Sequence, residues 1–460
     1  MITRSLNQIA IMSNAILSHP EAGNKQISGV SIDTRSIDDN QLFIPLQGTN
    51  FDGHRFVEKA FEAGAGTAFW KKDVPDPPEN LPLLFVEDPL QAMQDLARNY
   101  REELGVTIIG ITGSNGKTTT KDMIAQVLSD TYKVQKTSGN FNSQQGLPLT
   151  LLSLEESTEI MVLEMGMSAL GQIEKLSYIA KPDIAVITNI GEAHMEELGS
   201  RENIATAKFE IIKGLKPNGL FIFDGDEPLL LNKVQNLSYP FTKKSIGMDK
   251  KSALYPESVL VNENGTFFKV NILPDTTIQL PVLGMHNVKN ALFAIAIANY
   301  LNVPDRTIQQ QLESLRITAM RMETHQGVNG ALIINDAYNA SPTSMRAAID
   351  LVAQLNNFSK KILVLGDMLE LGSREVAFHQ EVGHFIAEHD VQYVFTYGEL
   401  GKQIAIGVME QNSSIDVRSF ADKKEITEVI QSLLDEQTVL LLKASRGMKL
   451  EEVLEGLVQD

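Results

Sequence analysis

The stretch "VTIIGITGSNGKTTTKDMIAQVLSD", residues 106–130, joins a β-branched apolar run to a segment whose apolar residues have helical spacing. Gly110, Gly113 and Gly116 lie between the two and predict a turn. A Walker A loop reads G-x-x-x-x-G-K-[ST], which requires its first glycine at position 111, where this chain has isoleucine. The spacing therefore predicts a phosphate-binding loop built to a different pattern.

This loop has the chemistry that a phosphate group requires. Glycines let backbone N–H groups approach phosphate oxygens, and the positive end of the following helix favours an anion. Lys117 adds charge, and the Thr118 hydroxyl suits Mg²⁺. A purely structural strand–turn–helix corner would not need Lys and Thr directly after its last glycine. We therefore expect a phosphate group to be bound here by Gly113, Ser114, Asn115, Gly116, Lys117, Thr118 and Thr119.

The chain divides into three blocks of different pattern. Up to about residue 86, short strands and turns alternate and end near the proline-rich "VPDPPENLP". From 87 to 314, strands such as "EIMVLEMG" and "PDIAVITNIG" alternate with helices, and a third alternation covers 315–460. Such alternation is typical of parallel sheets with helices on both faces. We expect an α/β protein with three domains, 1–86, 87–314 and 315–460.

The composition excludes several classes of function. With 58 acidic and 40 basic residues, the formal net charge is −18, which disfavours nucleic acid and anionic membranes as partners. The lack of cysteine excludes disulfides and thiolate zinc sites and suits a reducing compartment. The N-terminus shows no signal-peptide pattern, and the apolar run "ALFAIAIANYL" is too short to cross a bilayer. We expect a soluble, cytoplasmic protein, acting as a monomer.

Two polar side chains follow predicted strands, at the sheet edge where open α/β sheets bind their ligands. Glu164 ends the strand "EIMVLE", and a carboxylate there can bind Mg²⁺ directly or through water. A helix-capping or solvated role is the alternative. His194 follows the strand "DIAVITNI" beside Glu192, and this position favours metal or phosphate binding over the structural role that a lone histidine usually has.

Lys208 lies in "ENIATAKFEIIKGL", residues 202–215, which predicts a helix. Helical spacing places Ile204, Lys208 and Ile212 on one apolar face, where an ammonium ion is costly. Burial would make this lysine lose its proton more readily and act as a nucleophile. In the alternative, the methylene stem is buried and the ammonium group reaches water. The periodicity leaves both alternatives open.

Six motifs together resemble the ATP-binding domain of the Mur ligases: "GITGSNGKTTT", "GNFNSQQGLPLTLL", "EMGMS", "TNIGEAHMEELGS", "IATAKFEI" and "GMHNVKNA". These are the cytoplasmic ATP-dependent amide ligases of peptidoglycan precursor synthesis, and their phosphate loop has the shifted glycine found here. The N-terminal "SIDTRSIDDNQLFIPLQGTNFDGHRF" is similar to the uridine-nucleotide-binding domain of two of their branches. The resemblance implies a small α/β nucleotide-sugar-binding domain, a central P-loop ATPase-type domain with a parallel sheet, and a C-terminal Rossmann-like ligase domain.

The resemblance also implies roles for individual residues. Thr118 and Glu164 would bind one Mg²⁺, and His194 and Lys208 a second, with Lys208 carbamylated by CO₂. A carbamate would turn a costly buried cation into a carboxylate-like metal ligand. The implied catalytic residues are Lys117, His194 and Lys208. The implied ATP contacts beyond the loop are Asn287 and Asn290 near the adenine and, after domain closure, Arg321 and Asp336. The implied substrate contacts are Asp33, Thr34, Arg35, Ser36, Asn140 and Asn142.

Within the family, "NDAYNASPTSM", "VLGDMLELG" and "KASRGMKLEEV" resemble the branch that joins D-alanyl-D-alanine to UDP-N-acetylmuramoyl-tripeptide. The sequence lacks "DNPR", the signature of the branch that adds the third amino acid. The implied reaction phosphorylates the terminal carboxylate of the tripeptide with ATP, and the amine of the dipeptide then displaces phosphate. Both L-lysine and diaminopimelate stay open as the third residue of the tripeptide.

Two other classes of protein share part of this pattern with a ligase. A small-molecule kinase would share the phosphate loop but needs neither a metal-facing helix lysine nor two further substrate domains. A non-catalytic nucleotide-binding module would not need the four residues assigned to Mg²⁺, which are all present.

Three stretches depart from the family pattern. Ser143, Gln144 and Gln145 stand where Asn, an acidic residue and Ile are more common, which alters the expected contacts to the incoming substrate. "YNASP" replaces the commoner "YNANP", and Met320 precedes Arg321 where glycine is usual.

Overall fold

The computed structural model describes residues 1–48, 51–235 and 237–458. Two parts of the predicted domains lie outside the described residues. They are residues 49–50, in the N-terminal strand-and-turn segment, and residues 459–460, at the end of the third domain. The described strands form five sheets, and helices separate most of the parallel strands, so the α/β prediction is confirmed. None of the described helices is both long and apolar enough to span a bilayer.

The N-terminal region contains a two-stranded sheet, β1–β3, and a five-stranded sheet of order β2-β7-β6-β5-β4 in which only the β2–β7 pair is antiparallel. Its elements are β1 (Thr3–Ser5), α1 (Leu6–Met12), β2 (Ile16–Leu17), β3 (Gln26–Ser28), β4 (Val30–Ser31), β5 (Leu42–Phe43), α2 (Val57–Glu62), β6 (Thr67–Lys71) and β7 (Leu83–Val86).

The central region is built on a six-stranded parallel sheet of order β13-β12-β11-β8-β10-β9. Its strands are β8 (Thr107–Thr112), β9 (Val134–Lys136), β10 (Ile160–Glu164), β11 (Ile184–Ile187), β12 (Leu220–Asp224) and β13 (Thr242–Ile246). Its helices are α3 (Pro89–Leu104), α4 (Lys117–Leu128), α5 (Gly146–Leu152), α6 (Gln172–Ala180), α7 (Met195–Leu198), α8 (Arg201–Phe209), α9 (Pro228–Gln235), α10 (Met285–Tyr300) and α11 (Asp305–Glu313).

Alternation along β8 explains how the central sheet is covered on both faces. Ile108 belongs to one apolar core, whereas Ile109 and Ile111 belong to the core on the other face. Successive strand residues point to opposite faces, so each face of the sheet needs its own layer of helices. Helices α4 and α10 pack together in the second core, which fixes the direction in which α4 leaves the loop.

An antiparallel three-stranded sheet in the central region is absent from the sequence predictions. It consists of β14 (Pro256–Asn262), β15 (Gly265–Val270) and β16 (Leu273–Leu280). Most side chains of β14 are exposed or half-buried, so the strand has no regular apolar alternation to predict it. The sheet lies beside α10 and forms part of the second core.

The C-terminal region has a six-stranded sheet of order β17-β18-β22-β19-β20-β21, in which only β17 is antiparallel to its neighbour. Its strands are β17 (Glu323–Gln326), β18 (Leu332–Asn335), β19 (Lys360–Gly366), β20 (Tyr393–Tyr397), β21 (Asp416–Phe420) and β22 (Thr438–Lys443). Its helices are α12 (Pro342–Gln354), α13 (Glu375–Ala387), α14 (Gly401–Gln411), α15 (Lys423–Gln431) and α16 (Glu451–Leu454).

Two local predictions were wrong. Gly110 does not lie in the turn but within β8, where a Cβ would meet Met165 Cε at 2.9 Å, so this glycine serves helix–sheet packing. The helix predicted over 202–215 ends at Phe209, and residues 210–213 form a 3₁₀ turn. Ile212 is buried, but it lies in the 3₁₀ turn and not in the helix that carries Lys208.

The first predicted domain shares its core with the central region. Ile2 and Leu6 belong to the same apolar cluster as Met93 and Leu151, and the Ile2 amide donates to the Leu152 carbonyl at 2.8 Å. Each sheet lies entirely on one side of the predicted boundaries at residues 86 and 314. The boundaries themselves stay predictions.

Candidate active site

A cleft of about 770 Å³ lies at the carboxyl ends of the central strands, between the central and C-terminal regions. It brings together most of the residues singled out in the sequence: Ser114, Asn115, Gly116, Lys117, Thr118, Thr119, Asn142, Glu164, His194, Asn287, Asn290, Arg321 and Asp336. The other predicted residues do not line it: Gly113, Asn140, Lys208, Asp33, Thr34, Arg35 and Ser36.

The phosphate loop can be formed only by glycine at two positions. Gly113 has φ 155° and Gly116, at the start of α4, has φ 79°. A Cβ would lie 1.9 Å from Thr188 Oγ1 at the first position and 2.5 Å from Asn290 Oδ1 at the second. A larger residue would therefore strain the backbone at either position and displace the Thr188 or Asn290 side chain.

Residues after β11 support this loop, although they are not among the predicted site residues. The Asn189 carbonyl accepts from the Ser114 amide at 3.1 Å, and Asn189 Oδ1 accepts from the Asn115 amide at 2.8 Å. Thr188 Oγ1 donates to the Asn115 carbonyl at 2.6 Å. The loop is thus fixed before any ligand contacts it, which is the preorganisation that phosphate binding needs.

Lys117 lies at the centre of the loop. Its Nζ donates to the Gly113 carbonyl at 2.8 Å and to the Ser114 carbonyl at 3.4 Å. Burial lowers the pKa of Lys117; the nearby Glu164 carboxylate opposes this effect and Arg321 adds to it. An anion entering the loop would supply the counter-charge that this cation needs when desolvated.

Glu164 is held at the end of β10 by two side chains from other segments. Glu164 is only 4% exposed. Thr118 Oγ1 donates to Glu164 Oε2 at 2.8 Å, and Asn142 Nδ2 donates to Glu164 Oε1 at 2.9 Å. A hydroxyl and a carboxylate side by side in a phosphate cleft are oxygen ligands of the kind that Mg²⁺ prefers. These residues fit a magnesium ion.

His194 lies across the cleft in the left-handed conformation, with φ 66°. Its Nδ1 is 3.1 Å from Glu370 Oε2 of the C-terminal region, but it is buried without a well-aligned hydrogen bond. Burial, together with the nearby Lys208 and Lys117, lowers the pKa of His194 to about 4. The imidazole is therefore neutral at pH 7, the form in which histidine binds metals.

Lys208 is only 2% exposed, which removes the alternative in which its ammonium group reaches water freely. Among the described residues it forms no ion pair with a carboxylate. Burial, with Lys117 nearby, lowers the pKa of Lys208 well below its usual value. A neutral buried amine is nucleophilic, so the site fits the implied reaction with CO₂.

No three His, Asp or Glu side chains cluster as a metal site in the described part of the chain.

The C-terminal region contributes a second group of charged residues. The Arg321 guanidinium stacks over the Tyr338 ring at 4.1 Å, and its Nε is buried without a hydrogen-bond partner. Lys443, at the end of β22, pairs with Asp336 and donates to the Asn339 carbonyl at 3.0 Å. Lys443 is not among the predicted site residues. It ends an apolar parallel strand, as Glu164 does, and so lies at the sheet edge where ligands bind.

Several contacts hold the C-terminal region against the loop. Glu192 Oε2 accepts from Thr343 Oγ1 at 2.7 Å, and the Ser341 and Asn115 side chains are hydrogen-bonded. Thr318 Oγ1 donates to Asp122 Oδ2, on the helix that follows the loop, at 2.7 Å. Arg321 and Asp336 therefore already line the loop's cleft in this structure, whereas they were predicted to reach it only after domain closure.

Asn287 and Asn290 are buried at the start of α10, where they form one hydrogen-bonded network. Asn290 Nδ2 donates to Asn287 Oδ1 at 3.2 Å, and Thr120 Oγ1 donates to Asn290 Oδ1 at 3.2 Å. Asn287 Nδ2 donates to the Leu283 carbonyl at 2.8 Å. The network ties α10 to the first turn of α4, so both asparagines occupy fixed positions in the cleft.

The two segments predicted to contact the substrate other than ATP lie in different places: the segment around Asn142 lines the cleft, whereas the turn at Asp33 does not. The turn at Asp33 is exposed: Asp33 forms a bidentate pair with Arg35, whose hydrogen bonds lower the pKa of Asp33 to about 2. The divergent residues Ser143, Gln144 and Gln145 line the cleft beside Asn142.

Met320, where glycine is usual, has φ 60°, a conformation that costs a non-glycine residue roughly 1–2 kcal/mol.

Comparisons with known proteins agree on the family. Residues 111–298 match the Mur ligase middle domain, residues 320–446 the Mur ligase glutamate ligase domain, and residues 26–101 the Mur ligase family catalytic domain. The UDP-N-acetylmuramoyl-tripeptide--D-alanyl-D-alanine ligase of Bacillus subtilis is 49% identical over 459 residues, covering 100% of this chain and 99% of the relative.

Two solved structures are also similar over almost their full length. A crystal structure of MurF from Acinetobacter baumannii has a TM-score of 0.88 and 28% identity, covering 99% of this chain and 98% of that one. MurF from Thermotoga maritima in complex with ADP has a TM-score of 0.83 and 29% identity, covering 93% and 96%. The three domain matches and the full-length relative show that this chain belongs to the Mur ligase family.

Proposed function

We propose that this chain is an ATP-dependent amide ligase that joins D-alanyl-D-alanine to UDP-N-acetylmuramoyl-tripeptide through an acyl phosphate. The observation that carries the proposal is the cleft that combines a rigid phosphate loop and a buried carboxylate with charged residues of the C-terminal region. The names of the full-length relatives support the choice of substrates. These substrates also suit the predicted cytoplasmic location.

ATP would bind with its phosphates on the loop. The Gly116 amide, at the start of α4, and the Nζ of Lys117 would contact the β- and γ-phosphates, whereas the Ser114 and Asn115 amides already donate to Asn189. Asn287 and Asn290 would lie near the adenine. Arg321, with its unpartnered Nε, and Asp336 would reach the nucleotide from the C-terminal side.

The proposed metal ligands fall into two pairs. Thr118 and Glu164 would hold one Mg²⁺, and His194 and a carbamylated Lys208 would hold a second. Magnesium bound there would offset the negative charge of the phosphates. The carbamate proposal is supported by the burial of Lys208 without a carboxylate partner, because a lysine in that position is costly as a cation.

The need for ATP follows from the leaving group in amide formation. A carboxylate reacts poorly with an amine because oxide would have to leave, whereas an acyl phosphate releases phosphate. The chain's own residues would orient the two substrates, neutralise charge and keep water away from the acyl phosphate. No nucleophile of the protein is needed. The contacts between the loop and the C-terminal region, such as Thr343 with Glu192, would enclose the reacting groups.

The proposed substrate turn at Asp33 can be tested in the full chain. Deleting residues 1–86 would uncover the shared core, so a point change is preferable. The Arg35 side chain is 85% exposed and is available to an anionic substrate. We expect Arg35→Ala to raise the KM for UDP-tripeptide about tenfold and to leave the KM for ATP unchanged, because a charge-assisted hydrogen bond contributes roughly 1.5–3 kcal/mol.

Arg418→Ala is the matched control for this variant. Arg418 forms the same bidentate pair, with Asp416, at the far edge of the C-terminal sheet. Steady-state kinetics should show the control within about twofold of wild type, as expected for an exposed ion pair. If both variants raise the KM for UDP-tripeptide equally, or neither does, the turn does not bind this substrate.

Arg321 gives a prediction for the ATP side of the cleft. Arg321→Ala should lower kcat/KM for ATP about a hundredfold, the typical effect of removing one preorganised donor from a developing negative charge. Arg374→Ala removes a similar cation–π contact, with Phe378 at 4.5 Å, elsewhere in the C-terminal region and should have no such effect. Kinetics at saturating UDP-tripeptide would measure both. Wild-type kcat/KM for Arg321→Ala would refute its assigned role.

ADP release measures the proposed activity directly. It should require D-alanyl-D-alanine and UDP-tripeptide together, with one ADP formed per amide. A small-molecule kinase would release ADP with a single acceptor and form no amide. ADP release that is independent of the dipeptide would therefore rule out the proposed ligase activity.

A further inference from the structure

A second cavity, of about 450 Å³, lies at the opposite edge of the central sheet from the ATP cleft. It includes Gly105 and Val106, directly before β8, whereas the phosphate loop follows the other end of that strand. A six-residue strand spans about 20 Å. The two sites share none of their lining residues. This cavity is therefore separate from the nucleotide site.

The cavity is basic in a protein of net charge −18. Its ionisable lining groups other than Tyr178 are four cations and one carboxylate: Arg101, Lys181, Lys213, Lys216 and Glu102. Lys181 pairs with Glu102 at 2.6 Å, and Lys216 pairs with Asp183 at 2.9 Å. Lys213 has no ion pair among the described residues. The positive charges of the cavity therefore exceed its negative charges.

Arg101 is the most informative of these residues. It is 3% exposed, and its Nε is buried without a hydrogen-bond partner. Its Nη2 reaches only Glu102 Oε1, at 3.4 Å, an oxygen that already binds Lys181. An arginine that merely neutralised the carboxyl end of α3 would donate to main-chain carbonyls, and no such bond is formed within the described residues.

We propose that this cavity binds a phosphate-type oxyanion, held by the guanidinium of Arg101 and the ammonium group of Lys213. A guanidinium presents parallel N–H donors that match two oxygens of a phosphate. Such a ligand would give the Arg101 guanidinium a counter-charge and offset the excess positive charge of the cavity. The proposal is independent of the ligase reaction, because it uses none of the residues assigned to it.

Calorimetric titration of inorganic phosphate into the full-length chain tests this site. The protein is first saturated with Mg²⁺ and a non-hydrolysable ATP analogue, so that the phosphate loop is filled. We expect saturable binding by the wild-type chain. Lys213→Glu should raise the Kd about fivefold or more, and Arg101→Leu should abolish binding, since each removes a charge from the cavity.

Lys250→Glu is the control, because Lys250 is exposed, lies outside the cavity and undergoes the same change of charge. Its Kd for phosphate should stay within about twofold of wild type. Melting temperature and affinity for the ATP analogue report whether each variant folds, and the exposed Lys213→Glu keeps the test valid if Arg101→Leu does not. Absence of saturable binding by the wild type, or equal Kd values for Lys213→Glu and Lys250→Glu, would overturn the proposal.

Discussion

Replacing Lys117 with alanine should lower ATP turnover by at least about 10³-fold while the protein stays folded. Lys117 is the cation at the centre of the loop, and its Nζ now donates to the carbonyls of Gly113 and Ser114. A phosphate bound by the loop would need that charge in the transition state, where a preorganised donor contributes most. Coupled measurement of ADP release, with melting temperature as the test of folding, would give both quantities.

Lys423→Ala is a suitable control for Lys117→Ala. Lys423 also donates to two main-chain carbonyls, those of Met448 and Lys449, but it lies in the C-terminal region away from the cleft. We expect this control to keep nearly full turnover. Turnover by Lys117→Ala within about tenfold of wild type would mean that the loop does not hold the reacting phosphate.

Substitution of Lys208 should give the second large loss of activity. The question at this position is whether the functional group is an anionic carbamate or a cationic amine. If a carbamate is the functional group, both Lys208→Ala and Lys208→Arg should lose activity by at least about 10³-fold, because arginine restores a cation and cannot bind a metal. Acetate should partly restore the alanine variant by supplying a carboxylate. Thorough removal of bicarbonate should lower wild-type activity, and its return should restore it.

Lys361→Arg is the matched control, since Lys361 is equally buried but pairs with Asp390 and donates to the Ala353 carbonyl. It should stay active. ¹³C-labelled bicarbonate adds a readout other than activity: a carbamate resonance should appear in the wild-type protein and be missing from Lys208→Ala. An active Lys208→Arg enzyme would show that the site uses positive charge, and the carbamate assignment would then be wrong.

The nucleotide side of the cleft was predictable because it follows from local rules. The apolar run of β8, the glycines and the helical spacing of α4 identify the loop without any tertiary information. Glu164 and His194 follow because parallel strands end at a common edge. The same rules misplaced Gly110, since a glycine within a strand and a glycine in a turn look alike until the packing of Met165 is known.

The rest of the cleft could not be read from single segments. Asn189 acts through the loop it supports, and Lys443 acts through Asp336, so their roles depend on tertiary contacts even though Lys443, like Glu164, ends an apolar strand. The antiparallel sheet of β14 to β16 lacks alternation because one of its strands is largely exposed. The shared core beneath the first predicted domain depends on contacts between distant segments, such as Ile2 with Leu152.

The transfer of oxygen from the tripeptide to phosphate tests the central proposal most directly. UDP-tripeptide labelled with ¹⁸O in its terminal carboxylate is incubated with ATP, Mg²⁺, D-alanyl-D-alanine and the protein, and the released phosphate is analysed by mass spectrometry. An acyl phosphate requires that one carboxylate oxygen leaves with the phosphate, so each amide formed should yield one labelled phosphate. Amide formation with only unlabelled phosphate would contradict the acyl-phosphate mechanism, and labelled UDP-tripeptide recovered unchanged beside active ATP turnover would contradict the ligase assignment itself.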